Sequence, residues 1–271
     1  MKKLLPLFFL LGFVNISHAQ TPSDTLTEVQ AIAAGDDPSQ FFTRVEFFNE
    51  LQHHQNNGAD FYLNETTLRT IVKIGKRFTT RLDIPFVYNS YTAAGYQQFG
   101  LSDISFRLLG YKFLQTNKSA FTASVEISLN TAQSRLIGSG KNIIFPVVSY
   151  TSRLKKERML LAFVFQEGIT IGGDKERDNV NYSHLRGILL YVLTKKMWTV
   201  LEPELYIDYV HGGTSMNLKE KITYAPAKRI NLWAQTGIGL FGDYIARYQW
   251  KAEVGCRYFF LRNTILKRKN K

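Results

Sequence analysis

Apolar and polar residues alternate with a period of two over most of the chain from Phe41 to Phe260. Phe121, Ala123, Val125, Ile127 and Leu129 are interleaved with Thr122, Ser124, Glu126 and Ser128. Ile230, Leu232, Ala234, Thr236 and Ile238 are interleaved with Asn231, Trp233, Gln235 and a glycine. Successive side chains of a strand point to opposite faces, so each segment predicts a strand with one apolar and one polar face. Toward the end of the chain, Tyr248, Trp250, Ala252, Val254, Cys256 and Tyr258 alternate with Gln249, Lys251, Glu253, Gly255, Arg257 and Phe259. That stretch is much longer than the roughly 5–6 residues usual for strands of soluble proteins. Long strands, apolar on one side and charged on the other, suit a barrel with lipid outside and a polar interior.

The pattern predicts an all-β fold, an antiparallel transmembrane β-barrel of about twelve strands. They fall near 41–51, 62–75, 77–88, 102–114, 119–130, 142–152, 158–171, 182–194, 198–210, 217–225, 229–240 and 245–260. An even count brings both ends of the barrel to one side. The connections are expected to alternate in length. The longer ones are 52–61, 89–101, 131–141, 172–181 and 211–216, and the shorter ones lie near 75–76, 115–118, 153–157, 195–197 and 226–228. Short periplasmic turns and longer outer loops are the asymmetry of bacterial outer-membrane barrels. Phe241 to Tyr244 breaks it, a short link where a long one is due. Aromatic residues make up 14% of the chain. Many gather at predicted strand ends, among them Phe78, Tyr111, Tyr150, Trp198, Tyr209 and Tyr258, as interfacial girdles require.

The first residues add a compartment. Met1-Lys2-Lys3 precedes an apolar run from Leu4 to Ile16 and a small-x-small site at Ser17-His18-Ala19. This is the form of a secretory signal peptide, and the run is shorter than the roughly 20 residues of a membrane-spanning helix. The expected organisation is a signal peptide over 1–19, a periplasmic N-terminal segment over 20–40, the barrel over 41–260 and a basic tail over 261–271. Thr25 to Ala34 could form a short helix. The expected location is the outer membrane of a Gram-negative cell.

Charge changes little in this picture. The formal charge is +12, of which Lys2 and Lys3 supply two and the last ten residues five, through Arg262, Lys267, Arg268, Lys269 and Lys271. Export and the concentration of lysine and arginine in the short turns argue against a nucleic-acid partner. The single cysteine, Cys256, excludes an internal disulfide.

The alternation also names the charges expected to line the lumen. They include Arg69, Arg81, Asp83, Asp103, Arg107, Glu126, Arg186, Glu202, Glu204, Asp208, Arg247 and Glu253. Acids and bases are of similar number. A lumen of one sign would select ions, whereas a balanced one builds an ion-pair lattice along the wall. Enzymatic chemistry finds no purchase. His53 and His54 fall in a predicted loop, His211 starts a turn, and His184 stands beside Ser183, whose side chain points to the other face. No ligand spacing for a metal appears, and no cofactor is expected.

One stretch is more specific. Leu82-Asp83-Ile84-Pro85-Phe86-Val87 is followed by Gly100-Leu101-Ser102-Asp103-Ile104, then Asn130-Thr131-Ala132, Gly138-Ser139-Gly140 and Pro146. This series resembles the outer-membrane barrel family named for the meta-pathway of phenol degradation. Ser102 stands where that family has glycine, and Asn130-Thr131-Ala132 where it has Pro-Thr-Gly. The resemblance spans roughly residues 80 to 150. It implies a transporter-like barrel, with uptake of aromatic compounds as the presumed role. The expected function is passive passage of small solutes, hydrophobic or aromatic ones among them. A closed structural barrel and a lipid-acting enzyme are the alternatives. The expected partners are outer-membrane lipid, the barrel-assembly machinery that reads an aromatic end such as Phe259-Phe260, and an unidentified small solute.

Overall fold

The computed structural model describes residues 35–56, 59–91, 96–154, 158–242 and 248–260. The expected signal peptide, the helix over 25–34 and the basic tail lie outside the described residues. Thirteen strands follow in chain order: β1 Arg44–Asn56, β2 Ala59–Ile74, β3 Phe78–Tyr91, β4 Tyr96–Leu101, β5 Ser105–Gln115, β6 Ser119–Ser128, β7 Lys141–Leu154, β8 Met159–Gly173, β9 Asn181–Thr194, β10 Met197–Asp208, β11 Thr214–Ala227, β12 Ile230–Phe241 and β13 Trp250–Phe259. All pairings are antiparallel, each strand pairs with the next except β4 with β5, and β1 pairs with β13, so the sheet closes on itself.

The closed barrel has twelve staves, because β4 and β5 share one. β4 pairs with the Phe86–Tyr91 half of β3 and β5 with its Phe78–Asp83 half. The break is at Ser102-Asp103-Ile104. Across it the backbone bonds to the β6–β7 loop, with the Gln133 N–H donating to the Leu101 carbonyl (3.0 Å).

The sequence pattern placed the faces correctly along most strands. On β12 the residues alternate between exposed and buried, with Ile230, Leu232 and Ile238 outward and Asn231, Trp233 and Gln235 inward. Phe47, Leu68, Leu82, Phe163 and Val254 are likewise exposed on the outer face. An apolar surface this extensive requires lipid or detergent to cover it. β8 has 15 residues. At about 3.3 Å each and a tilt near 40°, it spans roughly 38 Å, enough to cross an apolar band of about 25 Å.

Three expectations need correction. The loop expected over 52–61 is strand: β1 and β2 extend to Asn56 and Ala59, with Gln55 opposite Asp60, so His53 and His54 belong to the wall. The loop expected over 89–101 is likewise replaced by the ends of β3 and β4. In both places the strands continue beyond any apolar band, where polar residues on both faces imitate a loop. The anomalous short link after Phe241 disappears as well, since β13 starts only at Trp250 and the connection covers 242–249. Long connections then alternate with short turns without exception after β5.

The inner face is not polar throughout. Leu160, Ala162 and Val164 of β8, Ile188, Leu190 and Val192 of β9, and Trp198 and Val200 of β10 form a buried cluster on the inward side. Over the stretch that carries this cluster the strands are apolar on both faces, which is why Met159 to Phe165 reads as an unbroken apolar run.

Candidate functional site: the barrel lumen

Strand register brings the inward charges together. Glu46 of β1 stands opposite Arg69 of β2 and Arg257 of β13, and Arg69 stands opposite Asp83 of β3. Directly opposed residues of an antiparallel pair share a face. Arg257 donates to Glu46 through Nε (2.7 Å), and Arg44 does the same (2.6 Å). Arg69 grips Asp83 with two parallel bonds, Nε to Oδ1 (2.9 Å) and Nη2 to Oδ2 (3.0 Å). Arg81, opposite Arg107, reaches over β5 to Glu126 (2.7 Å), which Arg107 also binds at 2.7 Å. The chain of ion pairs therefore runs unbroken from β13 to β6.

A second group spans β9 to β11 on the opposite wall, and a further set lies at the β12–β13–β1 seam. Arg186 contacts Glu202 (3.3 Å), Lys219 contacts Glu204 (2.7 Å), and His184 lies 3.3 Å from Glu204 with its ring stacked on Tyr206 at 3.9 Å. Glu253 of β13 accepts from Trp233 Nε1 (2.6 Å), and Lys251 bonds to Glu50, the residue facing Glu253 across the β1–β13 seam. These groups are the mixed-sign lattice that a balanced set of charges permits.

Two expected wall charges do other work. Asp103 lies in the β4–β5 break. Its carboxylate accepts from the backbone N–H groups of Thr131 (3.2 Å), Ala132 (3.1 Å) and Ser139 (2.6 Å), so it holds the β6–β7 loop in place. Asp208 ends β10 and accepts from the Val210 N–H (2.8 Å) and from His211 Nδ1 (2.8 Å), capping the β10–β11 turn. In both, the polar face of a strand ends in a loop whose backbone donors need an acceptor. Arg247 lies outside the described residues.

Nothing in the residue pattern announces what closes the short-turn end. The end of the expected periplasmic segment, Gly35 to Gln40, enters the bore. Asp36 Oδ2 accepts from Trp198 Nε1 (2.7 Å) and Thr223 Oγ1 (3.2 Å). Its Oδ1 meets Lys221 Nζ and Arg257 Nη2, the latter at 3.5 Å. The next residue, Asp37, accepts from Arg153 of β7 (3.1 Å) and from the Ser39 hydroxyl (2.6 Å). β7 lies half the circumference from β13, so adjacent residues tie opposite walls and the segment crosses the lumen. Phe41 continues it, buried beneath Lys112 of β5 at 5.1 Å. Burial alone would push the Asp36 carboxyl up, but Lys221 and Arg257 outweigh it and hold the group well below the usual carboxylate range. In the sequence, Gly35-Asp36-Asp37-Pro38 carries the signature of a turn and no trace of these partners.

Above the stopper, an arc of rings faces inward. Phe145 lies 6.4 Å from Tyr182, and Tyr182 lies 6.0 Å from Tyr206. Gly168 makes room for it, since a Cβ there would stand 2.7 Å from the Tyr182 ring. On the outer wall, a cavity of about 460 Å³ opens among Phe163, Phe165, Leu185, Gly187, Pro203 and Leu205, with Arg186 and Glu204 at its floor. It lies where Pro203, lacking an N–H, interrupts the β9–β10 ladder: pairing stops at Leu201–Leu189 and resumes at Glu204–Arg186.

Twelve antiparallel staves closed around a charged lumen, with an apolar outer face, define a barrel of the outer-membrane porin type. Solved structures of that type superpose on the chain. An outer membrane channel from Pseudomonas putida F1 does so with a TM-score of 0.68 at 12% identity, covering 89% of this chain and all of that one. The NanC porin gives 0.57 at 11% identity over 81% of this chain and all of its own, and the KdgM porin 0.53 at 11% over 80% and 99%. No protein-family model matches the chain, and no curated protein matches it either.

Proposed function

We propose that this chain is a non-enzymatic channel of the bacterial outer membrane, passing small solutes passively through a lumen narrowed by its own N-terminal segment. One observation carries the reading: a closed barrel with an apolar exterior whose interior is lined by paired charges and crossed at one end by Gly35 to Phe41. The short-turn end, where the barrel begins and ends, is then the periplasmic side. Hydrophobic and aromatic solutes are the class we favour. The inward arc of Phe145, Tyr182 and Tyr206 offers ring faces. The groove at Gly187 and Pro203 offers an apolar approach from the lipid side. The fold shared with known channels and porins supports the channel reading and not the solute.

The test is planar-bilayer recording on the refolded protein beside a variant lacking residues 35–41. The full chain should conduct little, and the variant several-fold more. A variant that conducts no better than background would sink the channel. It would leave a closed structural barrel, the reading that the dense ion-pair lattice favours second.

A further inference from the structure

The groups around Asp36 form a site for a carboxylate. Neutral donors, the Trp198 indole N–H and the Thr223 hydroxyl, serve one oxygen. Cationic donors, Lys221 and Arg257, serve the other. The four come from three strands of the wall: β10, β11 and β13. With Asp36 seated, Trp198 and Thr223 are fully buried and the Arg257 side chain is 4% exposed, so the carboxylate is held away from water. Charge-assisted donors of this kind are the strong ones. Gly35 lets the backbone pass the Arg257 guanidinium, since a Cβ there would stand 1.6 Å from Nη1. Among the described residues, Arg257 Nη1 itself has no hydrogen-bond partner. The site is wall, and the carboxylate in it belongs to a short segment tied to the strands by side chains alone. Among the described residues, no backbone hydrogen bond joins Gly35 to Gln40 to a strand.

We propose that this socket is a carboxylate-binding site of the channel, occupied at rest by Asp36, and that a solute bearing a carboxylate displaces Asp36 and so opens the lumen. Asp36 is then an internal stand-in for the solute's own carboxylate, and organic acids are the ligands that gate passage. The proposal rests on the reading of Gly35 to Phe41 as a stopper, and the experiment separates the two.

The full chain and Asp36→Ala are refolded in detergent. Their unfolding is followed in sodium formate and in sodium chloride of equal ionic strength at neutral pH, with conductance recorded in the same salts. The wild-type channel should open saturably with formate and not with chloride. Asp36→Ala should conduct several-fold more than wild type in chloride, and formate should raise its unfolding temperature by filling the vacated socket. An Asp36→Ala protein no more conductive than wild type in either salt overturns the stopper reading, and the proposal with it. A conductive Asp36→Ala that formate does not stabilise, with a wild type that formate does not open, overturns the carboxylate site and leaves the stopper standing. Sodium phosphate at the same ionic strength is the third arm, and an equal response to it overturns the assignment to carboxylates. If Asp36→Ala does not refold, Asp36→Asn keeps the volume, removes the charge and turns one of the two acceptors into a donor. It should shift opening to lower formate concentration, and an unchanged dependence overturns the proposal.

Discussion

Glu46 is the sharpest place to break the lattice. Its carboxylate is 3% exposed and stands among three guanidiniums: Arg44 at 2.6 Å, Arg257 at 2.7 Å and Arg69 at 3.7 Å. Replacing Glu46 with Gln keeps the volume and removes the only negative charge the three share. Removing one partner of a buried pair typically costs about 3–5 kcal/mol, because the other charge is left uncompensated. Two features lower the expected figure. Arg257 keeps Asp36, and Arg69 keeps its two bonds to Asp83 while remaining 29% exposed to solvent screening. The expected loss is therefore about 2–4 kcal/mol. The assay is reversible urea unfolding in detergent micelles or lipid vesicles, followed by tryptophan fluorescence and by the heat-dependent gel shift of a folded barrel. A cycle with Arg44→Gln adds a second constraint. Removing both charges should cost less than the sum of the single losses, because the cation no longer lacks its partner. A Glu46→Gln loss below about 1 kcal/mol, or strict additivity in the cycle, would refute the view that the lattice holds buried charges against desolvation.

Three further outcomes check the faces, the loops and the turns. Cys256 is exposed on the outer face of β13. In vesicles it should react with a lipid-soluble maleimide and resist a charged one, and equal labelling by both would place β13 the wrong way round. His211 bonds first to Asp208 and then to Asp178 of the β8–β9 loop, and these contacts raise its pKa. A raised pKa means the latch is fully present below about 6.5 and is lost as pH rises through the higher folded value. Proteolysis within 174–180 should therefore quicken toward alkaline pH in the wild type, and His211→Gln should abolish that dependence. Gly242 follows β12 with φ +97°, and a Cβ there would stand 2.0 Å from the Thr214 carbonyl oxygen. Gly242→Ala should cost at least the roughly 1–3 kcal/mol of a strained backbone position, seen as a lower urea midpoint. An unchanged midpoint would mean that the link between β12 and β13 tolerates another path.

Much of the barrel was legible because lipid imposes its own rule on every second residue. Ile230, Leu232 and Ile238 had to face out and Asn231 and Gln235 in, whatever their neighbours, so the period of two fixed faces, strand number and the side of the ends. The rule fails where lipid stops acting. Gln52 to Asn56 are polar on both faces and still form strand. Leu160, Ala162 and Val164 face inward although they are apolar, because they pack on Trp198 and Val200 rather than on water. The alternation proposes which charges face inward, but it says nothing of their partners. Glu46 meets Arg257 across 211 positions of chain because closure makes β1 and β13 neighbours. Asp103 and Asp208 left the lattice for loop backbones that no alternation describes. Asp36 is the extreme case. Locally it is one acid in a turn, and only the closed barrel places Trp198, Thr223, Lys221 and Arg257 around it. The sequence by itself determined the wall, since each residue's affinity for lipid or water is local. Tertiary structure alone decided what stands in the bore, since that depends on which distant strands the closure brings together.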